Sequence, residues 1–239
     1  MIRILVSDLH LDPAEPAGLR LFERFCAEVA AEADEFYVLG DLFELWVGDD
    51  ADDAAAACVR DALASLTGAG VRCLLMHGNR DFLLGARFLT ACGAEFVEDP
   101  TLVRFGDEAI VLAHGDALCT DDVPYQTLRA QLRSDAFRAD MLARPLAERS
   151  AIGTEARRRS REANERKAEH IMDVNAAAVD ALLDETGAAL LVHGHTHRPG
   201  EHRWEHHGAA RRRLVLGAWE EGCVYARADA TGVGLVSWS

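Results

Sequence analysis

Five short apolar runs in this chain end in the same way. Residues 1–6 lead into Asp8 and His10, and residues 35–39 into Gly40-Asp41. Residues 71–76 lead into His77-Gly78-Asn79-Arg80-Asp81, 109–113 into His114-Gly115-Asp116, and 188–193 into Gly194-His195-Thr196-His197. A short apolar run stopped by glycine is the pattern of a buried strand emptying into a loop. Between the first three runs the pattern is helical. Leu21, Phe22, Phe25, Val29 and Ala30 recur at helical spacing within 19–33, and a helix over 54–67 is ended by Gly68 and Gly70. Strand, helix, strand, helix, strand, then mostly strands, predicts an α/β sandwich with sheet layers inside helices. In such folds the loops at strand ends collect the chemistry.

The rest of the chain extends this plan. Residues 102–105 and 109–113 predict a hairpin around Gly106-Asp107. From 121 to about 173 strand signal fades, and helices are expected over 125–142 and 155–172. This stretch reads as a helical insertion over the core, a lid within a single domain of residues 1–239. A helix over 174–186 precedes the strand to His193, and strands follow over 201–207, 212–217, 222–228 and 233–238.

Hydrophobic residues make up 49% of the chain, enough for a sizeable core. No apolar run reaches the roughly 18 to 20 residues of a membrane span. The start is charged too early for a signal peptide, so a cytoplasmic protein is expected. The six cysteines form no CxxC pair, which suits reduced thiols in a core rather than a metal site. A net charge of −15 argues against generic nucleic-acid binding. The charge is uneven, however: residues 129–167 hold 11 basic and 6 acidic side chains. Lys167 lies there, the one lysine among 24 arginines.

Asp8, His10, Asp41, Asn79, His114, His195 and His197 offer carboxylate, amide and imidazole groups without a thiolate. Mixed oxygen and nitrogen donors suit divalent manganese, iron or zinc. So many donors fit two ions better than one, with Asp41 as the bridging carboxylate and Asn79 adding a neutral oxygen. Each residue alone has a plainer reading: Asp8 and Asp41 as loop caps, His114 as a core histidine, Asn79 as a turn residue. Their recurrence at successive strand ends favours the metal reading.

Asp8-x-His10, Gly40-Asp41, Gly78-Asn79-x-Asp81, His114 and Gly194-His195-x-His197 together resemble the calcineurin-like metallophosphoesterases. The resemblance implies a four-layer α-β-β-α sandwich and covers essentially the whole chain. The longer strings Ser7-Asp8-Leu9-His10-Leu11, Gly40-Asp41-Leu42-Phe43-Glu44 and Gly78-Asn79-Arg80-Asp81-Phe82 are similar to one branch of that superfamily. That branch cleaves the diphosphate of UDP-2,3-diacylglucosamine in lipid A synthesis. By this resemblance Asp8, His10, Asp41 and His197 hold one manganese, and Asp41, Asn79, His114 and His195 the other. It also implies substrate contacts at Asn79, Arg80, Asp122, Ser160, Asn164, Lys167 and His195, to which Tyr125 and Arg157 are added as candidates. Arg80, Asn79 and His195 become the catalytic residues.

Arg80 stands where many relatives carry a histidine able to protonate an alkoxide. Arginine is a poor proton donor because its pKa exceeds about 12. A departing phosphate, with a last pKa of roughly 6, needs charge neutralisation instead. Arg80 therefore points to a phosphoanhydride substrate.

Arg157, Arg158, Ser160, Arg161, Asn164 and Lys167 fall on one expected helix, with Ser160, Asn164 and Lys167 sharing a face. Phe137, Met141, Leu142, Leu146 and Ile152 either line a pocket for acyl chains or merely pack the lid. A basic lid also predicts peripheral association with anionic lipid at the cytoplasmic face of the inner membrane. Two other readings stay open: another dinuclear-metal phosphodiesterase or nucleotide pyrophosphatase, and a non-enzymatic scaffold that keeps the fold without metal.

Overall fold

The structure is a computed structural model that describes residues 1–164, 173–219 and 223–239. Two sheets pack face to face. The first contains β1 (Arg3–Val6), β2 (Glu35–Leu39), β3 (Arg72–Met76), β4 (Glu95–Phe96), β10 (Cys223–Asp229) and β11 (Gly232–Trp238), in the order β11-β10-β1-β2-β3-β4. The second contains β5 (Thr101–Phe105), β6 (Glu108–Ala113), β7 (Leu190–His193), β8 (Gly200–His206) and β9 (Ala209–Val215), in the order β5-β6-β7-β9-β8.

Alternation along the strands builds the layers. On β1, Leu5 faces the space between the sheets, while Ile4 and Val6 face the outer helices. On β6, Ile110 and Leu112 face inward and Val111 and Ala113 outward. The inner layer joins Leu5, Tyr37, Leu39, Leu74 and Met76 of the first sheet to Ile110, Leu112, Leu190, Val192 and Leu214 of the second. Helices α1 (Pro16–Glu28), α2 (Ala54–Gly68) and α3 (Ala86–Cys92) cover the first sheet through Phe22, Phe25, Val59, Leu63 and Phe88. Helix α7 (Ala176–Thr186) covers the second through Val179 and Leu183. The expected four-layer sandwich is therefore observed. Strands β1, β2 and β3 run parallel, as do β6, β7 and β9, which sends their C-terminal loops to one end of each sheet.

The six cysteines are free, and all but Cys58 are buried. Two expectations need correction. The helix expected over 125–142 is two helices, α4 (Val123–Leu132) and α5 (Asp135–Ala143). The chain breaks at Ser134, whose hydroxyl accepts from Phe137 N at 3.2 Å and caps the second helix. The helix expected over 155–172 starts earlier, as α6 (Leu146–Asn164), because Pro145 supplies carbonyl acceptors for Glu148 and Arg149 at 3.0 and 3.1 Å. Its expected continuation beyond Asn164, including Lys167, lies outside the described residues. Helix α3 and strand β4, between Phe82 and the hairpin, are additions to the expected elements. Among the described residues, no helix is long and apolar enough to cross a membrane.

Candidate metal centre

All seven sequence-predicted donors lie at the C-terminal ends of parallel strands. Asp8 and His10 follow β1, Asp41 follows β2 and Asn79 follows β3; His114 follows β6, and His195 and His197 follow β7. Two chains of contacts run through them. His10 Nε2 lies 3.0 Å from His197 Nε2, and Asp8 Oδ1 lies 3.6 Å from that same atom of His197. Asn79 Oδ1 lies 3.0 Å from His114 Nε2 and 2.9 Å from His195 Nδ1. Asp41 stands between the two groups, with Oδ2 4.0 Å from His10 Nε2 and Oδ1 3.8 Å from His114 Nε2. The donor atoms of Asp8, His10 and His197 lie within 4.8 Å of one another, as do those of Asp8, Asp41 and His114.

The backbone is bent to make this possible. Six non-glycine residues among those described have positive φ, and five of them are Asp8, His10, Asp41, His195 and His197. Left-handed backbone is unfavourable for residues with a Cβ, and its concentration here is the mark of a functional site. Glycines let the loops close on one another. A Cβ on Gly78 would stand 2.1 Å from Asp41 Oδ1, and one on Gly194 would stand 2.2 Å from Asp8 Oδ2. Backbone bonds then sew loop to loop: Asp8 N to Gly40 O at 3.1 Å, His10 N to Asp41 O at 3.0 Å and Gly194 N to His114 O at 2.9 Å.

The donor set fits divalent cations. Asp8 Oδ1 is buried without a hydrogen-bond partner, and two imidazole nitrogens face each other at 3.0 Å. A buried acceptor left without a partner carries a cost that a cation removes. His114 Nδ1 donates to Leu39 O at 2.9 Å, which orients the ring and turns Nε2 toward Asn79 and Asp41, where it could hold a metal. The charges are strongly coupled. Burial raises the Asp41 carboxyl to about 7 although the nearby His114 opposes it. Burial would lower His114, but Asp41, Asp116 and Asp8 outweigh it and bring the ring to about 9. His195 is lowered to about 4 by burial and by His114. Protons held this way are released when metal binds. Two neighbouring histidines are structural instead. His77 Nε2 donates to Leu84 O at 2.7 Å and His193 Nδ1 to Gly194 O at 2.8 Å.

Arg80 lies beside the centre, its backbone N donating to Asp41 Oδ1 at 2.8 Å and its Nε 3.4 Å from Asp41 Oδ2. Glu44 grips the Arg80 guanidinium, lies 3.5 Å from His10 Nδ1, and accepts from Arg157 Nη2 at 2.9 Å. Tyr125 stacks on His195 with ring centroids 6.0 Å apart and donates its hydroxyl to Asp116 Oδ2 at 2.8 Å. Asp122 is buried and accepts from Tyr125 N at 3.2 Å as the N-cap of α4. Ser160 is exposed on α6. The Asn164 side chain and all of Lys167 lie outside the described residues. Of the basic face, Arg157 alone is seen turned to the centre; Arg158 and Arg159 pair with Glu155 in the open. Met141 is buried and Phe137 packs on the core, whereas Leu142 and Ile152 are exposed.

Sequence reading missed the residues that hold these groups in place. Asp81 accepts from Gly78 N and Leu42 N, both at 2.7 Å, and so ties together the loops that carry Asn79 and Asp41. Asp116, fully buried, receives Tyr125, Arg129 and Arg133 of the α4 segment. Arg149, also buried, reaches from α6 to Val47 O and Asp50. Position within the Gly-Asn-x-Asp and His-Gly-Asp strings was the available signal for Asp81 and Asp116; Arg149 had none. A cavity of about 310 Å³, lined in part by Thr196, Arg198, His202 and Arg213, borders the His195–His197 loop.

A two-sheet sandwich with carboxylate, amide and imidazole donors gathered at its strand ends defines a metal-dependent phosphoesterase, and the family comparison agrees. The calcineurin-like phosphoesterase model matches residues 2–199, and the chain belongs to that family. Membership implies dependence on divalent metal. Relatives named UDP-2,3-diacylglucosamine hydrolase cover nearly the whole chain. That of Stenotrophomonas maltophilia (strain R551-3) is 44% identical, spanning 97% of this chain and 96% of its own. That of Chromohalobacter salexigens is 42% identical over 93% of this chain and 90% of its own. That of Xanthomonas campestris pv. campestris (strain ATCC 33913) is 42% identical over 98% of both.

Proposed function

We propose that this protein hydrolyses the diphosphate of UDP-2,3-diacylglucosamine to UMP and 2,3-diacylglucosamine 1-phosphate, a step of lipid A biosynthesis, with two manganese ions as cofactor. The observation that carries the proposal is Asp41 standing between two donor groups, in a chain 44% identical to a hydrolase of that name. Asp8, His10, Asp41 and His197 would hold one ion, and Asp41, Asn79, His114 and His195 the other. Ions held there would activate water near neutral pH and withdraw charge from phosphoryl oxygens.

The chain's own groups do the rest. Arg80, already beside Asp41, neutralises the phosphate that departs when water attacks the α-phosphorus. Its guanidinium lends no proton, and the leaving phosphate needs none. Asn79 and His195 orient the phosphoryl group from the opposite side of Asp41. The insertion over about 121–173 would act as a lid within one domain, its described helices α4 and α6 tied down through Asp116, Arg149 and the Arg157–Glu44–Arg80 contacts. Asp122, Tyr125, Arg157 and Ser160 would contact the substrate, as would Asn164 and Lys167, which lie outside the described residues. Exposed Leu142 and Ile152 on the lid helices suit acyl chains, and the basic segment suits an anionic membrane surface on the cytoplasmic side of the inner membrane.

The test is incubation with UDP-2,3-diacylglucosamine and manganese in oxygen-18 water. UMP and the acylated sugar phosphate should appear, with the label in UMP. Label in the sugar phosphate would place the attack at the other phosphorus. Faster turnover of a simple aryl phosphodiester would support a general phosphodiesterase instead.

A further inference from the structure

A second group of metal-binding side chains lies on the outer edge of the second sheet and shares no residue with the centre. His206 ends β8, and His207 opens the turn into β9 with φ 50°, the sixth left-handed non-glycine residue. Asp180 and Asp184 lie one helical turn apart on α7, on the side facing this hairpin. The donor atoms of Asp184, His206 and His207 lie within 4.8 Å of one another.

The hydrogen bonds assign roles. Trp204 Nε1 donates to Asp180 Oδ1 at 2.8 Å and orients that carboxylate. Its other oxygen lies 3.2 Å from His206 Nδ1. With the ring proton on Nδ1, toward Asp180, Nε2 is the lone-pair donor. Nε2 faces Asp184 Oδ2 at 3.3 Å. Arg211 Nη2 donates to Asp184 Oδ1 at 2.6 Å, which leaves Oδ2 turned to the imidazole. A divalent cation placed at this contact would be bound by both Nε2 and Oδ2. A second imidazole stands ready: the rings of His206 and His207 lie 4.0 Å apart, tilted by 60°. A proton on His206 would also fill the gap, but it gives His207 no part.

We propose that Asp184, His206 and His207 form a surface site for one borderline divalent transition ion, such as zinc, with Asp180 orienting His206 from behind. Two imidazoles, one carboxylate and a water make a four-coordinate zinc site. With bonds near 2.1 Å its donors stand roughly 3.4 Å apart, so small side-chain rotations at this exposed edge suffice.

The test counts total metal. Manganese-loaded protein is dialysed against micromolar zinc, and manganese plus zinc per chain is measured by mass spectrometry. Exchange inside the catalytic centre leaves that total unchanged. Wild type should hold one ion per chain more than His206→Gln, Asp184→Asn or His207→Asn. Asparagine keeps the left-handed turn at 207, so His207→Asn separates loss of the imidazole from loss of the hairpin. Zinc should also shift the His206 and His207 ring resonances in wild type, while hydrolase activity stays equal in all four proteins. The same metal total in wild type and all variants, or ring resonances indifferent to zinc, overturns the site.

Discussion

Asp81 spends both carboxylate oxygens on backbone amides, one in the loop of Asn79 and one in the loop of Asp41. Asp81→Asn turns one of those acceptors into a donor and loosens both loops while removing no ligand. Activity should fall by roughly 10- to 100-fold, the usual effect of losing support behind a metal ligand. Excess manganese should restore part of it, as a titration of rate against metal would show. Arg80 makes a sharper prediction. Arg80→His should lower diphosphate hydrolysis more than it lowers hydrolysis of an alkyl phosphodiester, whose alkoxide leaving group gains from a proton donor. Equal losses on both substrates would remove the leaving-group argument. At this scale the candidate ligands themselves were legible, because each follows closely on the end of an apolar run. The groups that aim them were not. Glu44 sits in an acidic stretch with Asp49 and Asp50, and nothing in the string shows that it links Arg80, His10 and Arg157. Nor do side chains announce that five ligands occupy left-handed backbone; that follows from loop closure between strands distant in sequence.

Three side chains of the α4 segment converge on one buried carboxylate, that of Asp116. Burial alone would raise the Asp116 carboxyl, but His114, Arg133 and Arg129 outweigh it and keep it below the ordinary carboxylate range. A depressed folded-state pKa stabilises above the unfolded value near 4 and ceases to do so as pH falls through the folded value. The urea midpoint of wild type should therefore exceed that of Asp116→Asn at neutral pH, and the gap should close in acid. Helix α6 depends on Arg149 in a comparable way. Arg149→Met leaves Val47 O and Asp50 without their donor, at a cost of about 1–3 kcal/mol, since Asp50 is half exposed and water takes part of its charge. Amides of α6 should exchange faster with deuterium, and those of β1 should be unaffected. Strands and the long outer helices were readable from periodicity. The break at Ser134 was not, because a serine inside a helical pattern is as compatible with a solvent-facing helix position as with a cap. Pro145 is the clearer signal in hindsight: helices begin beside proline more readily than they cross it.

The whole molecule carries a net charge of −15 with a basic stretch in the inserted helices. Exposed Val123, Leu128, Leu142 and Ile152 all belong to those same helices. Co-sedimentation with vesicles rich in anionic lipid should accordingly weaken as salt rises, since charges near a surface are screened over about 8 to 10 Å at physiological ionic strength. Binding indifferent to both salt and lipid charge would refute that orientation. The division of the ligands between the sheets has a wider effect. Asp8, His10, Asp41 and Asn79 hang from one sheet, and His114, His195 and His197 from the other, so each proposed ion is gripped from both sides. Manganese would then act as a rivet through the sandwich as well as a reagent. Stripping it with a chelator should lower the melting temperature, by an amount that grows with the logarithm of the metal concentration restored, about 2.7 kcal/mol at a hundredfold excess over the dissociation constant. Calorimetry on the stripped protein should find the two halves of the sandwich less firmly coupled, and the loops that serve the reaction would be the seam along which they part.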